Sequence, residues 1–327
     1  MNDLQQLLIS GLPLWMTIDG FRQAMLSVFQ SGIDSTVFPK SETSLVLTKS
    51  ELEYLKSHSW YQLSVHKELE TLLRQMISDI DISVTDDFCS VELPENSIAY
   101  HRVWGTITAD SNWWFSSKQM EIDLLEAESN PMITSHLIHI NSPGGEAWYL
   151  DRLSETLRNC RKPIITLYEK MCCSAAYYIG CHGSRVYATT HNDYVGCIGT
   201  MCSFYDFEPY FKKLGITKVE AKADGSDLKN KTFDDLIDGK SEKYIHDFLN
   251  PLNEQFHKVV RLSRSKLEKL DDSEPVMRGE TFCTDSAIEI GLADGLRTFS
   301  SAVEEIYAMG LNFSKNEKLK ESLYNIV

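Results

Sequence analysis

The chain has 327 residues, 43% of them hydrophobic, and a formal net charge of −15. This length allows one large or two modest domains with a substantial core, and the acidic balance argues against nucleic acid as the main partner. No window has the roughly eighteen apolar residues that a membrane span needs, and the N-terminus has no basic stretch before an apolar core, so we expect neither a membrane span nor a secretory signal.

The eight cysteines include no Cys-x-x-Cys pair and show no Cys/His spacing typical of a metal site. Most of them fall in the apolar central part of the chain. We therefore expect reduced, buried thiols in a cytoplasmic protein, and neither a metal ion nor another cofactor.

Residues 1–92 differ from the rest of the chain. Apolar residues recur at helical spacing in Leu4–Leu12, Phe21–Phe29 and Glu51–Ile77, and no catalytic motif accompanies them. The sequence therefore predicts a mainly helical N-terminal extension, or an assembly module, followed by a linker near Asp86–Asn96.

The second domain is predicted to begin with the alternating run Ser97–Thr108, which is typical of a strand. Trp113, Trp114 and Phe115 follow in a predicted loop, where they could line a substrate groove or simply pack on the domain. Ser117–Ala127 has the apolar spacing of a helix.

The centre of the chain reads as a strand, a helix and a second strand. Leu137–Ile140 and Pro163–Tyr168 are short apolar runs with the length of buried strands. Ala147–Arg158, between them, has helical spacing. A strand, a crossover helix and a strand make a parallel βαβ unit, so we predict an α/β fold.

Both predicted strands end in sequences suited to chemistry. The first leads into Ser142-Pro143-Gly144-Gly145, where paired glycines free backbone N–H groups to face a ligand. The second delivers Ser174 to the start of a predicted helix, Ala175–Gly180, whose macrodipole favours negative charge. An exposed serine opposite a glycine turn, at the carboxyl ends of parallel strands, is the arrangement that acyl transfer needs.

The remaining elements follow in chain order. Strands are predicted at Arg185–Ala188, at Tyr194–Met201, which contains glycines, and at Thr217–Ala221. A polar mobile loop is predicted at Asp224–Thr232, and helices at Asp206–Leu214, Glu242–Leu270, Gly279–Leu296 (a helix with a turn) and Ser300–Met309. Pro251 is expected to kink the long helix. We place the second domain at 93–310 and a charged tail at 311–327.

Five short motifs occur in a fixed order along the second domain: Trp-Gly-Thr-Ile (104–107), Asn-Ser-Pro-Gly-Gly (141–145), Ser-Ala-Ala-Tyr-Tyr (174–178), Val-Gly-Cys-Ile-Gly (195–199) and the block Gly279–Asp294. Together they resemble the protease IV or signal peptide peptidase A family of serine peptidases, including its phage prohead-protease branch. The resemblance covers roughly Ile98–Phe299. It implies a fold like that of Clp protease and crotonase, built on parallel βαβ units.

The resemblance also implies roles for individual residues. Ser174 is the expected nucleophile of a Ser/Lys dyad, and the backbone N–H groups of Gly145 and Ala175 are expected to bind the oxyanion. The general base matching the family's Gly-x-x-x-Lys is Lys229, with Lys231 in reserve. A lysine acts as a base only when its surroundings lower its pKa.

The chain departs from the family pattern in two places. Ala175 and Ala176 stand where the family often has glycines after the nucleophile, although only their backbone is needed. The serine that usually hydrogen-bonds the lysine is replaced by Cys197, and a thiol is a weak hydrogen-bond partner. Thr200 or a water molecule is therefore an alternative candidate for orienting the base.

The resemblance extends to partners. We expect polypeptide substrates bound in extended form, with phage or prophage capsid or scaffold proteins as natural substrates. In relatives with a single peptidase domain the dyad is completed between subunits, so we expect a homo-oligomeric ring.

Three other interpretations compete. Cys172 and Cys173 adjoin Ser174, so a cysteine peptidase using His182 is one alternative. A crotonase-type acyl-CoA enzyme is the second, because that fold also has glycine-turn oxyanion holes. The third is an inactive scaffold or capsid-assembly protein that retains the fold.

Overall fold

The computed structural model describes residues 14–16, 44–47, 84–85, 87–110 and 115–324. The three helices predicted in the N-terminal extension, and Trp113 and Trp114, lie outside the described residues.

The strands are β1 Leu14–Met16, β2 Ser44–Leu47, β3 Val84–Thr85, β4 Ser97–Trp104, β5 Ile107–Thr108, β6 Phe115–Ser116, β7 Ile133–Ser142, β8 Gly144–Glu146, β9 Ile164–Cys173, β10 Arg185–Ala188, β11 Tyr194–Gly196, β12 Thr281–Cys283 and β13 Gly295–Leu296. The helices are α1 Ser117–Ser129, α2 Leu150–Asn159, α3 Ala175–Gly180, α4 Glu208–Lys213, α5 Lys231–Ile237, α6 Glu242–Tyr244, α7 Asn250–Ser263, α8 Thr284–Ile290 and α9 Phe299–Tyr324.

The main sheet has the order β12-β11-β9-β7-β4-β2-β3, and β10 pairs with both β9 and β13. Its central strands, from β4 through β7 and β9 to β11, run parallel, while β2, β3 and β12 are antiparallel to their neighbours. A smaller sheet has the order β1-β8-β5-β6. The α/β class predicted from the sequence is confirmed.

The central βαβ unit forms because its strands have two apolar faces and its helix has one. Along β7, Ile138 and Ile140 pack into a core with the helices α1, α2, α3 and α7, whereas Leu137 packs into a second core on the opposite face. Successive side chains of a strand point to opposite faces. A parallel strand covered on both sides reads as a continuous apolar run, which explains why the sequence predicted it.

The second face of the sheet is covered by α9. Phe299, Val303 and Ile306 from its first two turns are buried against Leu137 and Ile165 of the sheet. The predicted helix Ser300–Met309 is thus confirmed, and α9 continues to Tyr324 through most of the segment predicted as a charged tail. Exposed residues dominate the extra turns.

Several predicted elements match and others are wrong. The helix at Ala175–Gly180 and the strand at Arg185–Ala188 have the predicted bounds. The strand from Tyr194 ends at Gly196, because Gly196 and Cys197 both have positive φ and turn the chain away. The strand predicted at residues 217–221 is wrong, because these residues form neither helix nor strand, are exposed, and pair with none of the described strands.

The long predicted helix is interrupted. A five-residue π-helical segment, Ile245–Leu249, separates α6 from α7, and Pro251 follows at the start of α7. Proline donates no backbone hydrogen bond, so the chain changes its hydrogen-bonding pattern just before it. The predicted polar loop Asp224–Thr232 contains a 3₁₀ turn at Asp224–Ser226 and enters α5 at Lys231.

The first ninety-two residues add strands to both sheets. In the large sheet, β2 pairs with β4, and in the small sheet β1 pairs with β8. The division at residue 92 stays a prediction.

Candidate active site

The strand register brings the glycine turn and the serine together. Ser142, at the end of β7, is the register partner of Cys172 on β9. Ser174 follows Cys172 by two residues, and the turn from Ser142 to Gly145 leaves β7 at the same level. Because the carboxyl ends of parallel strands share one edge of a sheet, the two predicted pieces of the site meet there, and α3 contacts β8.

Ser174 occupies a sharp turn between β9 and α3. Its backbone has φ 57° and ψ −122°, a region that costs a residue other than glycine about 1–3 kcal/mol. Two hydrogen bonds hold it there: Ser174 N–H donates to the Gly196 carbonyl at 2.8 Å, and Tyr178 N–H donates to the Ser174 carbonyl at 3.0 Å. A strained strand-to-helix turn that projects a serine is the geometry of a nucleophile elbow.

The hydroxyl of Ser174 is buried and uncommitted. The exposed position predicted for this serine is wrong, because the residue has no exposed surface in the single chain. Its Oγ has no hydrogen-bond partner of regular geometry among the described residues. Leaving such a group unpaired costs about 1–3 kcal/mol. A base that reached this oxygen would therefore meet little competition from the adjacent Cys197 thiol, which is a weak hydrogen-bond partner.

Cys197 is the side chain placed beside Ser174. Burial raises the pKa of the Cys197 thiol, and contact with the hydroxyls of Thr281 and Ser174 lowers it in part. Cys197 has φ 53°, and its N–H donates to the Glu280 carbonyl at 2.8 Å. The structure thus brings one predicted orienting residue to the serine, while Thr200 lies three residues further on and is half-buried.

The two predicted oxyanion donors lie in ordered elements. Ala175 opens α3 and is fully buried. Gly145 lies in β8, opposite Trp15 of β1 on one side and Ile107 of β5 on the other. A Cβ at Gly145 would lie 2.0 Å from the Ile107 carbonyl oxygen, so only glycine permits this approach of β8 to β5.

The predicted base is not joined to the serine within the chain. Lys229 is exposed and its N–H donates to the Ser226 carbonyl at 3.0 Å, but no hydrogen bond or ion pair involves its ammonium group within the described part of the chain. The ammonium of Lys231 donates to Asp235 at 3.2 Å. Nothing in the described segment 199–243 is buried.

The cysteine alternative fits the structure poorly. Burial raises the pKa of the Cys172 and Cys173 thiols, so neither favours the reactive thiolate. Burial also lowers the pKa of His182 to about 4. The His182 ring bonds to the hydroxyl of Ser154 at 2.9 Å rather than to either cysteine.

Two supports of the site went unrecognised in the sequence. The Asp193 carboxylate accepts hydrogen bonds from Thr189, Thr190 and the Lys170 N–H, at 2.7–2.9 Å, and so fixes the turn that leads into β11. The Thr-Thr-His-Asn-Asp sequence is typical of such a side-chain-capped turn and could have signalled it.

The second support joins α7 to the sheet. Arg264, itself 7% exposed, makes a two-pronged pair with Asp294 at 2.8 and 3.0 Å. Asp294 also accepts the Val186 N–H at 2.8 Å. Asp294 closes one of the sequence motifs, although its partner could not be named from the sequence.

Glu128, His136 and Cys160 are the described residues that could hold a metal ion, since their donor atoms lie within 4.8 Å of one another. His136 lies six residues before Ser142 on β7, which is about 20 Å along the strand. The group is therefore separate from the serine. Its members are distant in sequence, so the spacing of cysteines could not reveal it.

Comparison with known proteins finds a similarity around the serine. Residues 156–310, just under half of the chain, match the model of peptidase family S49. This match supports a relationship to family S49. The S49 segment contains Ser174, Cys197 and Lys229 and begins after Gly145.

Two relatives agree with the S49 match. A protein of Enterococcus faecium with the provisional name signal peptide peptidase SppA is 23% identical over 211 residues, 61% of this chain and 59% of that protein. Protease 4 of Haemophilus influenzae is 26% identical over 196 residues, 56% of this chain and 29% of its own length. The chain thus spans less than two thirds of the length of either relative.

Among solved structures, an enoyl-CoA hydratase/isomerase family member is similar with a TM-score of 0.36 and 12% identity, over 66% of this chain and 73% of that one. None of the helices in the described ranges has the length and apolar character needed to cross a bilayer.

Proposed function

We propose that this S49 protein is a serine endopeptidase in which Ser174 attacks the peptide bond. The observation that carries the proposal is the strained strand-to-helix turn at Ser174, with its buried, uncommitted hydroxyl beside the glycine turn of β7 and β8. A structural serine would be expected to use its hydroxyl as a cap or a core hydrogen bond.

In the proposed reaction, neutral Lys229 takes the proton from Ser174 Oγ as the oxygen attacks the carbonyl carbon. The N–H groups of Gly145 and Ala175 then stabilise the negative charge on the carbonyl oxygen. Such a donor typically contributes about 3–4 kcal/mol to the transition state. The lysine passes the proton to the leaving amine, and a water molecule, deprotonated by the same lysine, releases the acyl group.

The base needs a second subunit. Lys229 is exposed in the single chain, whereas a lysine that acts as a general base must be shielded from water. Another protein surface packed against it would supply that shielding. We therefore assign the dyad to two neighbouring subunits of a homo-oligomeric ring, with Lys231 as the alternative base.

Exposed apolar side chains support this assembly. The segment 199–243 exposes eight large apolar side chains: Tyr205, Tyr210, Phe211, Leu214, Ile216, Val219, Leu228 and Ile237. A concentration of exposed apolar surface is typical of a protein interface. The segment that carries Lys229 is thus the part of the chain best suited to contact a neighbour.

The proposed substrates are polypeptides bound in extended form. The proposed natural substrates are capsid or scaffold proteins of a phage or prophage. Such substrates would place the enzyme in the bacterial cytoplasm or in a procapsid. Genomic neighbourhood tests this choice. Portal and major capsid genes beside it would support the phage assignment, and a housekeeping locus would contradict it.

A fluorophosphonate probe tests the reaction itself. Ser174 should be labelled in the wild-type protein, and mass spectrometry of the labelled peptide should place the adduct on residue 174. An unlabelled Ser174 in an oligomeric sample would overturn the proposal in favour of an inactive scaffold with the same fold.

A further inference from the structure

The group of Glu128, His136 and Cys160 lies where three elements meet. Glu128 is in the last turn of α1, His136 is on β7, and Cys160 caps the C-terminus of α2. We propose that these three side chains bind a zinc ion, at a site that takes no part in peptide hydrolysis.

The distances between donor atoms suit a tetrahedral ion. His136 Nε2 lies 3.1 Å from Glu128 Oε1, and every pair in the group is within 4.8 Å. Zinc bonds of about 2.0–2.3 Å at tetrahedral angles place ligand atoms about 3.3–3.6 Å apart. The side chains therefore need to move by only about an ångström, and nitrogen, oxygen and sulfur donors together are typical of zinc.

The surrounding hydrogen bonds hold the ligands in the orientation that a metal needs. His136 Nδ1 bonds to His101 Nε2 at 3.0 Å, so His136 Nε2 is the nitrogen presented to the site. Glu128 accepts the backbone N–H groups of Lys162 and Arg161 at 3.1 and 3.4 Å. Outer partners of this kind fix the tautomer and direction of metal ligands.

The charges of the ligands match the charge of a zinc ion. The ionised Glu128 and a Cys160 thiolate would neutralise a divalent ion, while the Lys162 ammonium is directed to the Ala127 and Asn130 carbonyls.

Cobalt(II) is the probe for this site, because a cobalt–thiolate bond gives a near-ultraviolet charge-transfer band. Titration of the full-length protein should produce this band at one cobalt per chain, and zinc should displace it. Cys160→Ser should remove the band, and Glu128→Gln should weaken cobalt binding more than tenfold. Cys283 is an exposed cysteine elsewhere in the chain, so Cys283→Ser should leave both the band and the cobalt affinity unchanged.

The readout is independent of peptidase activity, and circular dichroism verifies that each variant is folded. No thiolate band in the wild-type protein, or a band that persists in Cys160→Ser, would overturn the zinc site.

A different observation carries a second inference. The antiparallel strand β1 pairs Leu14, Trp15 and Met16 with Glu146, Gly145 and Gly144 of β8. We infer, resting on the proposed function, that β1 occupies the place of a peptide substrate and inhibits the enzyme within its own chain.

Only one side of β8 is open to exchange. On the other side, the approach of β5 is so close that a Cβ at Gly145 would clash with Ile107. A substrate that adds a strand beside Gly145 must therefore take the place of β1. β1 also contacts α3, the helix that starts directly after Ser174, which agrees with the complete burial of that serine.

Removal of the β1 hydrogen bonds tests the inhibition. The triple substitution L14P/W15P/M16P removes every N–H group of the strand, while L14A/W15A/M16A retains them as a matched control. We expect the proline variant to react with the fluorophosphonate at least tenfold faster than the wild-type protein, and the alanine variant to react less than threefold faster. A synthetic peptide of residues 10–20 should inhibit the proline variant competitively.

The possible failures are distinguishable. Equal labelling rates in the wild-type and proline proteins would overturn the inhibition and leave the proposed peptidase intact. An unlabelled Ser174 in all three proteins would overturn the peptidase, and the inhibition with it.

Discussion

The backbone N–H of Ser174 donates to the carbonyl of Gly196 at 2.8 Å. This bond ties the turn of the candidate nucleophile to the residue before Cys197, so β11 determines both the position of the serine and that of the thiol beside it.

Ser174→Ala should abolish hydrolysis without lowering stability. The hydroxyl is buried and has no hydrogen bond of regular geometry among the described residues. Its removal therefore deletes a poorly satisfied polar group, whose burial costs about 1–3 kcal/mol, and alanine at φ 57° is as strained as serine. We expect a melting temperature equal to or slightly above that of the wild-type protein. A large destabilisation would show that the hydroxyl has a structural partner.

Lys229→Ala should lower kcat by about 10²-fold or more, as expected for loss of a general base, and Lys231→Ala should be nearly neutral. Peptide hydrolysis by purified oligomers measures both. If Lys231→Ala is the inactive variant instead, the base lies two residues further along.

Mixing inactive Ser174→Ala and Lys229→Ala subunits should restore part of the activity when the subunits exchange, because some interfaces then pair an intact serine with an intact lysine. A mixture that stays inactive despite proven exchange would refute the shared dyad.

Cys197→Ser should raise kcat several-fold with little change in KM, because a hydroxyl is a stronger hydrogen-bond partner for the base than a thiol. Steady-state kinetics on one peptide measures the change. Thr281→Val, which removes the neighbouring hydroxyl but supplies none, serves as the comparison and should give no increase.

Asp294→Asn should lower the free energy of unfolding at pH 7 by about 1–3 kcal/mol, since it leaves Arg264 buried without a charged partner. Burial opposes ionisation of Asp294, but hydrogen bonds from Arg264 and Val186 outweigh it and hold the pKa of the carboxyl below its ordinary value of 3.8. The stabilisation is therefore present above pH 3.8 and is lost as pH falls through the lower folded-state pKa. Urea unfolding should show a smaller difference between the two proteins at pH 3 than at pH 7, and a constant difference would contradict this account.

The parts of the fold that sequence predicted are those where burial imposes a pattern. The strands β7 and β9 are buried on both faces, so their apolar runs are visible, and the turn at Ser174 is marked by the helix that follows it. By contrast, β1 has three residues, too few for any periodicity. Its pairing depends on the edge of β8 that β5 leaves open, and the local sequence of β1 contains no information about that edge.

The same reasoning explains the missed site residues. Glu128, His136 and Cys160 are brought together by packing of α1 and α2 against the sheet, and no spacing along the chain records that contact. Lys229 could be proposed from a motif, but in the proposed ring its approach to Ser174 depends on the surface of a neighbouring subunit, which no motif describes.

The absence of buried side chains in the described segment 199–243 has a consequence for how the protein behaves on dilution. A segment that buries little apolar surface gains little free energy to offset its ordering entropy. In the proposed ring a neighbouring copy would supply that order, and by mass action the order would then depend on protein concentration. Specific activity should therefore fall on dilution below the dissociation constant of the assembly, while proteolytic nicking of residues 199–243 rises in parallel. An enzyme built in this way would be active only where its copies are crowded together.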